Sequence, residues 1–237
     1  ALALAQRIGK VPVLARVAEG FIGNRMLTPY RREADFLLEE GATPEQVDRA
    51  LEGYGMAMGP FRVADLAGLD IAWAARKRLA PTRDPEERYS RIADVLCEAG
   101  RLGQKTGAGY YRYDGRTPVP DPDVESVIRR CADEEGITRR EISEDEIVDR
   151  CLLALVNEGA RLLDEGVAQR ASDIDVVWVN GYGFPASRGG PMHWATAVGL
   201  VETLRRITAL EAAHGSRTWA PAPLLQRRVA EEADSWD

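Results

Sequence analysis

The sequence predicts an all-α fold made of two tandem copies of one helical domain, packed together like the halves of a dimer. Two observations predict this fold. Apolar residues recur at three- and four-residue spacing along most of the chain after Gly20, which is the pattern of amphipathic helices that bury one face. The second half of the chain also repeats landmarks of the first half in the same order, which indicates an internal duplication.

The first 18 residues resemble the end of a preceding domain. Residues 1–8 favour a short helix, and residues 10–17, which are rich in β-branched side chains, predict one strand. A strand needs partners for its backbone N–H and C=O groups. We therefore expect this helix and strand to be the remnant of a domain that lies N-terminal to them.

Residues 20–41 predict a helix of about 20 residues that organises the first copy. Its apolar stripe consists of Phe21, Met26, Tyr30, Ala34, Leu37 and Leu38. The residues expected to face solvent are Arg31, Arg32, Glu39 and Glu40. Gly41 is a candidate C-cap. Asn24 is a polar residue on the first turn between apolar neighbours, and its plainest interpretation is a buried amide that hydrogen-bonds to the backbone.

Capping signals divide the rest of the first copy into shorter helices. Residues 43–46 form a capping box with proline at the first helical position and predict a helix that reaches about Leu51. Gly59-Pro60 predicts the start of the next helix, and residues 84–87 predict the start of a third. Residues 102–114 predict a glycine-rich loop followed by a short aromatic strand.

The second copy begins after a connecting helix that Asp121-Pro122 predicts, and its own first helix starts at a capping box formed by Ser143 and Glu146. Residues 22–27 correspond to residues 147–152, with Asp149 at the place of Asn24. The separation between corresponding landmarks grows only in the connections, as expected for loop insertions between conserved helices.

We predict four segments from these correspondences. They are a remnant at residues 1–18, a first repeat at 19–114, a connection at 115–142 and a second repeat at 143–237. Gly41 and Gly166 are 125 residues apart, and Gly59 and Gly190 are 131 residues apart.

Composition excludes several classes of protein. The net charge of −7 speaks against binding to nucleic acid or to an anionic membrane surface. No apolar run approaches 18 residues, so we expect no membrane insertion. Cys97, Cys131 and Cys151 are far apart and predict small core residues in a reducing compartment. The basic residues are nearly all arginine, which favours a GC-rich bacterial source, and without a long apolar run or a signal peptide we expect a cytoplasmic protein.

The sequence is poor in catalytic groups. His214 lies near a helix end and is expected to be solvated, and His193 is expected to pack against Trp194. There is no Gly-x-Ser-x-Gly elbow and no Gly-x-Gly-x-x-Gly after a buried strand. We therefore expect no cofactor-binding and no metal-binding residues in this chain.

Three motifs in order carry a resemblance to a known family. They are Gly-Phe-Ile-Gly-Asn-Arg-Met-Leu at residues 20–27, Met-Gly-Pro-Phe at 58–61 followed by Asp65 and Gly-Leu-Asp at 68–70, and Leu-Gly-Gln-Lys-Thr-Gly-Ala-Gly-Tyr-Tyr at 102–111. Together they resemble the C-terminal domain of L-3-hydroxyacyl-CoA dehydrogenases. The tandem copy, with Arg-Gly-Gly-Pro-Met at 188–192, is similar to the multifunctional enzymes of fatty-acid β-oxidation, in which this domain is doubled.

The resemblance implies an activity that this chain supports but does not complete. The parent enzyme would oxidise (3S)-hydroxyacyl-CoA to 3-ketoacyl-CoA with NAD. The family's catalytic His–Glu pair and NAD loop lie on a preceding NAD-binding Rossmann domain, of which residues 1–18 resemble the remnant of the last helix and strand. We therefore expect the isolated chain to be inactive and to meet acyl-CoA only through missing N-terminal domains.

The resemblance also implies which residues serve the substrate. It assigns Asn24 a supporting catalytic role, as a hydrogen-bond donor toward the thioester carbonyl or the catalytic histidine. The residues expected to line the acyl-CoA cleft with it are Leu27, Met58, Pro60 and Phe61. A carboxylate at Asp149 would repel the same oxygen, so the second repeat is expected to be scaffold. Because a tandem copy can replace a second subunit, we expect a monomer.

Two other functions stay open at this point. One is a non-catalytic helical module that binds a protein partner. The other is an independent hydrolase that uses His193, for which Ser187 is the nearest candidate nucleophile along the chain.

Overall fold

The computed structural model describes residues 1–236. These residues are mostly helical, as predicted, and their strands form one antiparallel hairpin. In chain order the helices are α1 (Leu2–Arg7), α2 (Gly23–Glu40), α3 (Pro44–Tyr54), α4 (Pro60–Ala67), α5 (Leu69–Leu79), α6 (Ile92–Glu98), α7 (Pro122–Glu134), α8 (Glu144–Asp164), α9 (Ala171–Gly181), α10 (Pro191–Val198), α11 (Leu200–His214), α12 (Ser216–Trp219) and α13 (Pro223–Ala230). The hairpin pairs β1 (Arg112–Asp114) with β2 (Thr117–Val119).

The chain divides into two compact units, and each unit contains segments of both predicted repeats. The terminal unit consists of Ala1–Tyr30 and Cys151–Asp237, and the central unit consists of Arg31–Arg150. Helix α2 starts in the terminal unit and ends in the central unit, whereas α8 does the reverse. Each unit is therefore built from the first turns of one long helix and the later turns of the other.

Three of the predicted caps begin helices. Thr43 Oγ1 accepts a hydrogen bond from the Gln46 backbone N–H at 3.1 Å at the start of α3. Asp121 Oδ1 accepts one from Asp123 N–H at the start of α7, and Ser143 Oγ accepts one from Glu146 N–H at the start of α8. Each acceptor satisfies an N–H group that the first helical turn leaves unpaired.

The helix predicted to start at residues 84–87 does not form there. Asp84 accepts hydrogen bonds from the backbone N–H groups of Glu86 and Glu87, which closes a turn, and α6 begins only at Ile92. An Asp-Pro signal closes a local turn as readily as it caps a helix. The prediction for this segment was wrong.

The predicted strand at residues 10–17 was also wrong. Within this described segment the only strand-like pairing is an isolated bridge between Ala15 and Ala168, with Arg16 N–H donating to the Val167 carbonyl. The side chain of Val17 is 93% exposed. β-Branched residues favour a strand only where a sheet offers backbone partners and an apolar face to pack on. The preceding helix, α1, forms as predicted.

Two glutamates at the end of α2 are buried, although the sequence predicted them to face solvent. Glu39 is 1% exposed and Glu40 is 7% exposed. The Arg88 guanidinium lies 2.9 Å from Glu39 and 2.8 Å from Glu40, and Arg150 lies 2.5 Å from Glu40. Arg150 also contacts the buried Glu33 at 3.0 Å. Buried carboxylates are tolerated here because arginines pair with them, and a helix pattern does not reveal such partners.

Candidate functional site around Asn24

Asn24 is exposed at the first turn of α2, and its side chain bonds another side chain rather than the backbone. Its amide oxygen Oδ1 accepts a hydrogen bond from the Tyr182 hydroxyl at 2.7 Å. Tyr182 follows directly after α9 and lies 158 residues further along the chain. Sequence reasoning missed Tyr182, although Tyr-Gly recurs at residues 54–55 and 182–183 as a repeat landmark.

The Tyr182 ring is held from two sides. It packs on the Trp178 ring at a centroid distance of 4.9 Å, and the buried Trp178 donates from Nε1 to the Met26 sulfur at 3.2 Å. The ring also lies against Gly23, where any Cβ would overlap the ring atom Cε2. The glycine before Asn24 is therefore required for the close approach of Tyr182.

Arg25 fixes the start of α2 beside this pair. Its Nε lies 2.6 Å from Glu158, and its two terminal nitrogens lie 2.5 Å and 2.7 Å from the carboxylate of Glu165. The hydrogen bonds that Arg25 donates to Glu165 raise the pKa of Arg25, so its charge is permanent. A bidentate arginine–carboxylate pair also fixes orientation.

We call the ion pairs of Arg25 with Glu158 and Glu165 the Arg25 clamp. The central unit contains a matching clamp, in which the second repeat supplies the arginine and the first repeat supplies the two glutamates. There Arg150 contacts Glu33 and Glu40. Arg150, Glu158 and Glu165 each lie 125 residues after their counterparts Arg25, Glu33 and Glu40. In both units an arginine from one repeat therefore pairs with two glutamates from the other, which is the structural trace of the duplication.

The chemistry available at Asn24 is that of a neutral hydrogen-bond donor. Because Oδ1 is occupied by Tyr182, the amide nitrogen Nδ2 is the group left for a ligand, and it donates to no atom of the described residues. Burial raises the pKa of Tyr182, so its hydroxyl keeps its proton and stays a donor at neutral pH.

The other predicted lining residues lie in two places. Leu27 is half-buried and lies one turn after Asn24 on α2, in the terminal unit. Met58, Pro60 and Phe61 lie at the start of α4 in the central unit. Met58 is half-buried, whereas Pro60 and Phe61 are buried, and the Phe61 ring packs on Tyr110 at 4.5 Å. Of the central group, Met58 has the accessible side chain.

The buried Asp48, which lies in α3, caps the N-terminus of α4. Asp48 accepts hydrogen bonds from the backbone N–H groups of Phe61 at 2.9 Å and Arg62 at 3.1 Å. Burial raises the pKa of Asp48 to about 7. A Cβ at Gly59 would overlap the Asp48 carboxylate, which explains the glycine in the Gly59-Pro60 start. This carboxylate is committed to a helix end and is a poor candidate for a general base.

The second repeat uses the same device at α10. Asp175 accepts from the backbone N–H groups of Met192 at 2.8 Å and His193 at 3.1 Å, and a Cβ at Gly190 would overlap its carboxylate. Burial raises the pKa of Asp175 to about 6. The repeated Gly-Pro dipeptide is thus the sequence mark of an aspartate-capped helix.

The glycine-rich loop at residues 102–111 is fastened to the core. Asp65 accepts from the backbone N–H groups of Tyr110 at 2.9 Å and Tyr111 at 3.0 Å. A Cβ at Gly109 would overlap the Asp65 carboxylate, and Lys105 pairs with Asp70 at 2.5 Å. The amides of Tyr110 and Tyr111 and the side chain of Lys105 are therefore paired within the protein.

The described residues do not fit a dinucleotide. Their strands form an antiparallel hairpin with no strand-to-helix turn of the nucleotide-binding kind. Among these residues no group of three or more histidines, cysteines or acids could hold a metal ion.

No described helix is long and apolar enough to cross a membrane. His193 and Ser187 are exposed and share no hydrogen bond in residues 1–236, so nothing supports the hydrolase.

Comparison with known proteins agrees with the resemblance. The family model described as 3-hydroxyacyl-CoA dehydrogenase, C-terminal domain, matches residues 20–113 and 147–233. The peroxisomal bifunctional enzymes of Danio rerio and Homo sapiens are 46% and 48% identical over 97% and 86% of this chain. A peroxisomal fatty acid beta-oxidation multifunctional protein of Arabidopsis thaliana is 35% identical over 96% of it. The chain spans about a third of the length of these relatives, from 30% to 34%.

Solved structures share the fold. The dehydrogenase part of multifunctional enzyme 1 from C. elegans is 28% identical with a TM-score of 0.74, over 95% of this chain and 51% of that one. A 3-hydroxybutyryl-CoA dehydrogenase from Escherichia coli is 24% identical with a TM-score of 0.77, over 97% of this chain and 64% of that one, which shows the fold alone.

The predicted bacterial cytoplasmic location was wrong. The curated relatives are named as peroxisomal or glyoxysomal proteins. An excess of arginine over lysine reflects codon composition and carries no physical information about a compartment.

Proposed function

The chain belongs to the family of the 3-hydroxyacyl-CoA dehydrogenase C-terminal domain, and we propose that it is the C-terminal part of an NAD-dependent enzyme that oxidises (3S)-3-hydroxyacyl-CoA in fatty-acid β-oxidation. The names of the relatives support this proposal, since they include bifunctional and multifunctional enzymes of fatty-acid β-oxidation. NAD would bind to another part of that enzyme, because residues 1–236 of this chain do not fit it.

The proposal rests on the hydrogen bonding of the Asn24 side-chain amide. Its oxygen is held by Tyr182, its helix is clamped by Arg25, and its nitrogen is left to donate. A neutral donor suits an acyl oxygen on which negative charge develops, and it needs no proton transfer of its own. In the proposed enzyme Asn24 stabilises the thioester carbonyl or orients the catalytic histidine of the preceding domain.

We also propose four apolar residues as contacts of the acyl-CoA, Leu27 in the terminal unit and Met58, Pro60 and Phe61 in the central unit. Leu27 follows Asn24 on the same helix, and Met58 presents a flexible thioether that adapts to an acyl chain. Pro60 and Phe61 follow Met58 in the sequence and are buried. The corresponding residue of the second repeat, Asp149, would place a negative charge against the substrate oxygen, so the first repeat forms the cleft.

The test compares two variants in the complete enzyme. Asn24→Ala removes one hydrogen bond to a developing charge, which is worth about 2–4 kcal/mol, and should lower kcat by about 30- to 1,000-fold. Asp149→Ala should leave kcat nearly unchanged. Thermal unfolding of both variants should stay close to that of the parent. Equal kinetic losses from both substitutions would refute the assignment of the cleft to the first repeat.

A further inference from the structure

The hydrogen bond between Tyr182 and Asn24 joins the two repeats at the proposed site. Asn24 lies in the first repeat, and Tyr182 lies in the segment predicted as the second repeat. An asparagine side chain has an oxygen that accepts and a nitrogen that donates, and rotation by half a turn exchanges them. In this structure the Tyr182 hydroxyl donates to the amide oxygen, which leaves the amide nitrogen as the end that can meet a ligand.

We infer that Tyr182 is the positioning residue for Asn24, and that its hydroxyl holds the amide oxygen so that the amide nitrogen faces the substrate. This inference rests on the proposed function of Asn24. It gives the second repeat a part in the reaction, where the sequence predicted scaffold alone.

The surroundings of Tyr182 are built for this task. The Trp178 ring and the Gly23 backbone both contact the tyrosine ring, and Trp178 itself donates to the Met26 sulfur. Burial raises the pKa of Tyr182, which keeps the hydroxyl a donor across the neutral range. A hydroxyl fixed on a rigid ring restricts the amide far more than solvent would.

The other unit offers a matched control. The repeat counterparts of Asn24 and Tyr182 are Asp149 and Tyr54, and both belong to the central unit. Since an aspartate has two equivalent oxygens and no donor when ionised, no orientation remains for Tyr54 to decide. Tyr54→Phe is therefore the substitution that removes the same atom without the same consequence.

The first arm of the test measures orientation in this chain without any activity. In a ¹⁵N-labelled sample, the side-chain NH₂ signals of Asn24 are identified by their loss in Asn24→Ala. Tyr182→Phe should shift these two signals and bring them closer together, because the amide is no longer held. Tyr54→Phe should leave them in place. Asn24 signals that do not change in Tyr182→Phe would overturn the inference.

The second arm is a double-mutant cycle in the complete enzyme. Tyr182→Phe should lower kcat about tenfold with little change in KM, since misplacement of a catalytic group costs turnover. In the Asn24→Ala background the same substitution should cost less than about twofold, because it acts only through Asn24. Additive losses would show that Tyr182 acts by another route and would overturn the inference.

The two arms separate this inference from the proposed function. If Asn24→Ala leaves turnover unchanged, the proposed role of Asn24 fails, and with it the catalytic use of the pair. The amide signals of Asn24 would then still decide whether Tyr182 orients the side chain.

Discussion

Glu40 shows how far a single residue depends on partners from elsewhere in the chain. The sequence predicted that it faces solvent at the end of α2, yet it is buried and pairs with Arg88 and Arg150. Burial alone would raise its pKa, but the hydrogen bonds and charges of Arg150 and then of Arg88 outweigh burial and lower the pKa of Glu40 to about 2. The charge is therefore stable only while both arginines are in place.

This depressed pKa predicts an acid-sensitive contribution to stability. A folded-state pKa of about 2 against an ordinary value of 4.5 means that the stabilisation is fully present above pH 4.5 and is lost as the pH falls toward 2. The stability difference between the parent and Glu40→Gln should shrink over that window, by at most about 3 kcal/mol. Urea unfolding at several pH values between 6 and 3 measures it.

The repeat counterpart provides the control for this prediction. Glu165, which pairs with Arg25, has a side chain that is 49% exposed. Solvent screens such a pair, so Glu165→Gln should change stability less at every pH. A difference between the parent and Glu40→Gln that stays constant from pH 6 to pH 3 would contradict the assignment.

At the scale of elements, α4 and α10 begin in the same way in the two repeats. Each starts at the proline of a Gly-Pro dipeptide, beside a buried aspartate, Asp48 or Asp175, which accepts hydrogen bonds from two backbone N–H groups. The aspartates replace the local side-chain cap that a helix usually carries at its own N-terminus. The glycine is needed because the carboxylate lies directly over it.

A pair of glycine substitutions tests this account of the helix start. Gly59→Ala places a methyl group against Asp48 and should destabilise the protein by about 1–3 kcal/mol through overpacking. Gly53→Ala, inside α3, meets no atom within 4 Å and should stabilise it by about 0.5–1 kcal/mol through helix propensity. Chemical denaturation of both variants measures the difference. Opposite signs are expected, and equal effects would refute the steric explanation.

At the scale of the whole molecule, each compact unit is a joint product of both repeats. The terminal unit carries the Arg25 clamp and the central unit carries the Arg150 clamp, and each clamp joins helices from different repeats. In single-copy relatives of the kind that the resemblance implies, a second subunit would have to supply these partners. Linking the copies in one chain raises the effective concentration of the partner to the millimolar range.

We therefore predict that the chain is a monomer in solution. We expect the tandem copy to take the place of a second subunit. Sedimentation at micromolar concentration should give the mass of one chain, and a tight dimer under these conditions would contradict the prediction.

The chain alone should neither bind NAD nor oxidise hydroxyacyl-CoA. The described residues offer no dinucleotide-binding turn, and the sequence lacks the His–Glu pair that the family resemblance implies for the reaction. Calorimetry with NAD and an absorbance assay for NADH test both statements. Micromolar binding of NAD by the chain alone would contradict the first.

The sequence by itself determined two kinds of feature: those that depend on residues close together in the chain, and those that recur in both repeats. The caps at Thr43, Asp121 and Ser143 are local, because the acceptor and the N–H group lie two or three residues apart. The duplication and the family followed from motifs in order, and Asn24 was singled out as one polar residue among apolar neighbours.

Only the tertiary structure decided what those residues touch. The partner of Asn24 lies 158 residues away, and the counter-charge of Glu40 on Arg150 lies 110 residues away. The strand at residues 10–17 failed for the same reason, since a strand exists only with a neighbour to pair with. Helical periodicity and capping are properties of one segment, whereas burial, ion pairing and sheet formation are properties of two segments that must meet.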